Sequence, residues 1–198
     1  MNLAVVGTVF IVILVAELPD KSMIATLVMG SRSNPLLVWI GASTAFIAHT
    51  VLAVVAGRLL LLLPHTTLEI IVSILFLGGA LYLLLVPEKA EIAEGERDAA
   101  REDPRNQGFK VALTAFGVIA VGELGDITQL LTVNLVAKYH APLSVGLGAG
   151  LACVVDAALG AFGGRALLRV LPVARIRVLG GLVFLGFAGW TIYTLVAG

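Results

Sequence analysis

The stretch VAELPDKSMIAT, residues 15–26, decides how this chain is read. Glu17, Asp20 and Lys21 stand inside a run that is otherwise apolar from residue 3 to residue 29. An ionised side chain at the centre of a bilayer-spanning helix is unfavourable by about 2.5–3.5 kcal/mol on insertion scales, so a cluster of them needs a reason. A second stretch, VGELGDITQLLT at residues 121–132, repeats the arrangement with Glu123 and Asp126. Whatever explains one stretch must explain both.

The rest of the chain places these acids in lipid. Of the 198 residues, 59% are hydrophobic and 13% charged, with a mean hydropathy of +1.04. A soluble domain carries about 25% charged residues. The composition therefore predicts an all-α integral membrane protein, with the lipid bilayer as its main solvent and no nucleic-acid partner. The single cysteine, Cys153, excludes an internal disulfide and reads as a small packing residue in an apolar run. The first twenty residues have neither a basic lead nor a small-residue cleavage site, so they read as part of a permanent helix.

A spanning helix needs about 20 mostly apolar residues. Six segments qualify, at residues 3–29, 35–63, 68–86, 109–137, 142–170 and 176–196. Several exceed the minimum, which predicts tilt or kinks. Breakers in SRSNP, LPHTT, KYHAP and LPVAR separate them. Residues 88–108 are polar and alternate acids with bases, which reads as a solvated, partly helical or disordered connector rather than a cation-binding loop.

The chain repeats itself around that connector. Glu17, Leu18 and Asp20 recur as Glu123, Leu124 and Asp126. Pro35, Gly41, Gly57 and Arg58 recur as Pro142, Gly148, Gly164 and Arg165. This predicts a duplicated three-helix unit, residues 1–87 and 109–198, joined by a linker at 88–108. An odd number of spans per unit inserts the second copy from the opposite side, giving two inverted three-helix repeats with a site near the midplane between them. Basic residues gather on the face of loops one-to-two, three-to-four and five-to-six, leaving Arg58 and Lys138 on the other. The positive-inside rule then puts the linker in the cytoplasm and both termini outside.

Glu and Asp three residues apart share one face of a helix. Pro19 and Gly125 beside them disturb the backbone and free carbonyl oxygens, which is tolerated at membrane depth where they line a cavity. Hard cations take carboxylate, carbonyl and hydroxyl oxygens. Glu17, Asp20, Glu123 and Asp126 are therefore the expected metal ligands. Ser22, Thr128 and Gln129 are candidate additional ligands; Lys21, His49 and Asp156 are candidates for ligation or a proton path, with His49 reading better as a bundle hydrogen bond. Met23, Met29 and the glycines at 146, 148, 150, 160, 163 and 164 read as packing. The four acids carry −4 and Lys21 adds +1, so a divalent ion leaves −1; when it departs, clustered like charges favour uptake of protons. Exchange of a divalent cation for protons follows from that competition.

The two motifs, ELPDKS and ELGDIT with Gln129 after the second, resemble the calcium/manganese–proton antiporter family of bacteria, chloroplasts and the Golgi. That family repeats E-x-G-D-[KR]-[TS] in the first helix of each three-helix unit. Pro19 and Ile127 depart from the pattern; the four acids do not. The resemblance implies a transporter and not an enzyme, in the cell membrane, with no resident cofactor, exporting Mn2+ or else Ca2+ from the cytoplasm against protons. Association of copies is left open. Two other readings use the same acids: an exporter of a small cationic organic solute, and an intramembrane aspartyl protease, whose glycine before the aspartate motif Glu123 displaces.

Overall fold

The computed structural model describes residues 1–18, 20–85, 87–101, 108–124, 126–170 and 173–197. Among these there are nine helices and no strand: α1 (Leu3–Glu17), α2 (Lys21–Arg32), α3 (Pro35–Leu60), α4 (His65–Leu85), α5 (Glu88–Ala99), α6 (Phe109–Gly122), α7 (Ile127–Tyr139), α8 (Pro142–Val170) and α9 (Val173–Ala197). Local chemistry sets several boundaries. The Asn2 side chain accepts the N–H groups of Ala4 and Val5 to start α1. Asn34 accepts the Leu36 N–H, with Pro35 pre-set at the first helical position of α3. His140 closes α7 in the left-handed region, φ 50°, and Pro142 opens α8.

The first and fourth expected spans are each two helices. The first breaks between Glu17 and Lys21, where α1 and α2 meet at a bend of 71°. The fourth breaks between Gly122 and Ile127. Pro19 and Gly125, the expected breakers, lie outside the described residues. This corrects the single-face reading of the motifs: Asp20 and Asp126 cap the helices that follow, while Glu17 ends α1 and Glu123 caps the end of α6. The carboxylates of each motif belong to opposite sides of a helix break.

By length and composition α3 and residues Pro142–Gly163 of α8 can each cross a membrane, and the bent pair α1–α2 is apolar enough to do so if it forms one broken span rather than a re-entrant loop. Further apolar helices, Thr66–Tyr82, Phe109–Gly122 and Gly181–Tyr193, are shorter. Many large apolar side chains, among them Leu52, Ile74, Leu113, Leu151 and Trp190, are exposed. An apolar exterior suits lipid.

Inside, α8 packs along both α1 and α2 and against α3, while α3 lies on α6 and α7. Trp39 donates its indole N–H to the Val154 carbonyl, 3.1 Å away, tying α3 to α8. Helices α4 and α9 pair through Phe76, stacked on Phe187 at 5.2 Å and edge-on to Phe184 at 6.1 Å. Small residues allow the closest approaches. A Cβ on Gly148 would lie 2.6 Å from the Val6 carbonyl oxygen and 2.9 Å from Val9 Cβ. A Cβ on Gly160 would collide with Thr26 Oγ1 and the Met23 carbonyl. Gly148→Ala is therefore expected to destabilise the bundle by about 1–3 kcal/mol. Gly7→Ala, with nothing within 4 Å, should be silent. Thermal unfolding in detergent compares the two.

The connector is not merely solvated. Its helix α5 is seated on α2, with Ala99 fully buried and Gly95 over the first turn of α2. A Cβ on Gly95 would lie 2.5 Å from the Lys21 carbonyl oxygen and 2.8 Å from Ile24 Cβ. The partly helical reading of the connector holds, and most of the described side chains of α5 are exposed, but one side is docked rather than solvated. Ile92 and Ala99 give α5 enough of an apolar side to dock.

Candidate cation site

The two helix breaks meet. One carboxylate oxygen from each of Glu17, Asp20 and Glu123 falls within 4.8 Å of the others. Glu17 and Glu123 are buried, at 1% and 3% exposure. Burying such carboxylates side by side is unfavourable unless something positive joins them. Asp126, the fourth expected ligand, is directed to Lys21, with Oδ1 3.4 Å from Nζ. The same ammonium lies 3.5 Å from Glu94 Oε1 of α5.

A small cavity of about 20 Å3 adjoins Glu17 and Glu123 and is also lined by Phe46, His49, Thr50, Thr128, Gln129, Thr132 and Cys153. That volume is about one water molecule. Ser22 donates its hydroxyl to Glu17 Oε2 at 3.3 Å. The Cys153 thiol points at Glu17 Oε1, 3.8 Å away. Its apolar run favours packing over a ligand role, and nothing in the sequence spacing shows that α8 brings it to the first motif.

His49 is held on both ring nitrogens. Nε2–H donates to the Ala120 carbonyl at 3.1 Å, and Nδ1 accepts from the Gln129 amide. The break explains why that carbonyl is available. The N–H of Leu124, its usual partner in a continuing helix, turns instead to Val121. His49 thus replaces a backbone bond lost at the second motif, which is the bundle hydrogen bond that the sequence favoured.

Asp156 sits on the α8 face that also carries Cys153 and Gly160, one turn to either side. That face is against the first motif, since Cys153 reaches Glu17 and Gly160 meets Met23 and Thr26. Asp156 is completely buried, and neither of its oxygens has a hydrogen-bond partner among the described residues. The Asn134 carbonyl oxygen and the Ser43 hydroxyl are in the same condition. Met23 and Met29 are fully buried, as their packing role requires.

The arrangement can take up positive charge between two broken helices: carboxylates from both, with hydroxyl and amide groups lining the adjoining space. Hard divalent cations bind through such groups.

Comparison with known proteins points the same way. The profile of the family described as divalent cation/proton antiporter GDT1 matches residues 5–91 and 111–198, leaving between them most of the linker and the first two residues of α6. A GDT1-like protein of Synechocystis sp. is 25% identical over 198 residues, covering 94% of this chain and 96% of its own. GDT1-like protein 3 of Oryza sativa subsp. indica is 29% identical, covering 89% of this chain and 69% of its own. The PAM71-homolog, a chloroplastic protein of Arabidopsis thaliana, is 27% identical and covers 93% of this chain and 58% of its own. No solved structure matches. With its apolar helices, the chain is a multi-pass membrane protein. The profile spans both halves and takes in each acidic motif, and on that match the chain belongs to the GDT1 family of divalent cation/proton antiporters.

Proposed function

We propose that this chain exports a divalent cation, Mn2+ in preference to Ca2+, from the cytoplasm in exchange for protons, with Glu17, Asp20, Glu123 and Asp126 as the ion's ligands. The observation that carries the reading is the meeting of Glu17, Asp20 and Glu123 from two separate helix breaks within 4.8 Å. Isolated buried acids can serve as hydrogen-bond donors; three sharing one small space, next to a fourth, support a cation site. Asp126 joins when it exchanges Lys21 for the ion. Carboxylate and hydroxyl oxygens suit Mn2+ as well as Ca2+, and the uptake comparison below ranks the two.

In this reading residues 1–87 and 109–198 are two inverted three-helix repeats in the cell membrane, with α5 in the cytoplasm and both termini outside. The bases support the orientation, and the paired breaks support the repeat. Alternating exposure of the shared site would then carry the ion one way and protons the other.

The test is ion uptake into proteoliposomes holding the purified chain, with an imposed pH gradient and Mn2+, Ca2+, Mg2+ or Na+ supplied in turn. Mn2+ should move fastest, and collapse of the gradient by a protonophore should stop it. Failure of every ion to move under the gradient would end the proposal.

A further inference from the structure

Lys21 joins the second motif to the linker. Its ammonium lies 3.4 Å from Asp126 and 3.5 Å from Glu94. Lys21 is 9% exposed, whereas the Glu94 side chain is 51% exposed. Asp20 and Glu123 are its other acidic neighbours. Only Glu94 among these four is on α5, and α5 is packed directly on the turn that carries Lys21.

Resting on the function proposed above, we infer that Glu94 is a positioning residue of the cation site, which acts through Lys21 and makes α5 a cytoplasmic latch responsive to occupancy. With no ion bound, the surplus of negative charge in the site holds Lys21 toward Asp126. A divalent cation on the acids takes Asp126 for itself and repels the ammonium. Its ammonium already lies within 4 Å of both partners, so the exchange needs no movement of the backbone. Its remaining partner is Glu94, so loading tightens α5 on α2 and covers the site from the linker side. Departure of the ion reverses the exchange and loosens α5.

Electrostatics gives the direction. With every acid ionised, the four acids and Lys21 sum to −3; the divalent cation brings the total to −1, and protons taken up as it leaves offset part of the difference. An ion pair with a half-exposed partner is weak, about 0.2–1 kcal/mol, which suits a latch that must open in each cycle. Gly95 serves the same contact, since any side chain there would lift α5 from the Lys21 carbonyl.

Hydrogen–deuterium exchange of the full chain in detergent, with and without Mn2+ and separately Ca2+, tests this. Binding should protect peptides around residues 15–26 and 121–132 and slow exchange in α5 by up to about fivefold. Glu94→Gln should keep the protection at the motifs and lose that in α5, while Glu94→Asp should retain both. Protected motifs with an unchanged or faster-exchanging α5 would overturn the latch and leave the cation site standing. An α5 response that survives in Glu94→Gln would remove Glu94 from the account. No protection at either motif by either ion would overturn the site, and the latch with it.

Discussion

Glu17→Gln is expected to reduce cation transport driven by a pH gradient to the level of empty liposomes, and Glu123→Gln to do the same. Each substitution keeps shape and hydrogen-bonding capacity but removes one charge from a group buried among like charges. Loss of groups that merely orient a metal ligand costs 10–100-fold, so loss of a ligand should exceed about 100-fold. Folding should survive, because a neutral amide relieves carboxylate crowding; thermal stability without metal should be equal or higher. This combination of higher apparent stability with lost transport separates a ligand from a packing residue. Glu96→Gln, on the exposed side of α5, should leave transport unchanged. If Glu17→Gln and Glu123→Gln both move Mn2+ at the normal rate, the carboxylates are not its site.

Acidification on the side from which the ion binds is expected to weaken apparent affinity about tenfold per pH unit for each proton displaced, and to level off at higher pH. Carboxylates must be ionised to ligate, so metal binding releases protons. The sign follows: protons compete at low pH, and affinity rises until the acids are free of them. Glu17, Asp20 and Glu123 lie within 4.8 Å of one another, so the protons released are counted for the cluster as a whole. Calorimetry of Mn2+ binding in two buffers of different ionisation enthalpy counts the protons directly. At least one per ion is expected; none would mean that exchange with protons does not pass through these groups.

Much of this was visible in the sequence because charge in an apolar run is conspicuous. Glu17, Asp20, Glu123 and Asp126 stand out against their surroundings, and the duplication made them a pair of motifs. Helical periodicity was the wrong rule inside the motifs, where α1 and α6 end and new helices begin. Proline and glycine announced a disturbance without giving its size. Contacts between distant segments were not legible. Glu94 is 73 positions from Lys21, and the Cys153 thiol is 136 positions from Glu17; no local spacing connects them. The Ala120 carbonyl became a partner for His49 only because the helix stopped, which is a tertiary fact. A partly helical linker was legible, but its charges hid the docked side.

The two breaks have a consequence for the polarity of the cargo. At the site α1 and α6 present their C-terminal ends, while α2 and α7 present their N-terminal ends. Each terminus is worth about half an elementary charge, negative for the first pair and positive for the second. Taken together the four nearly cancel. The peptide framework is thus close to indifferent to the sign of its passenger, and preference for cations is written in a handful of replaceable side chains. A protein engineer seeking an anion carrier could keep this skeleton and invert those few residues.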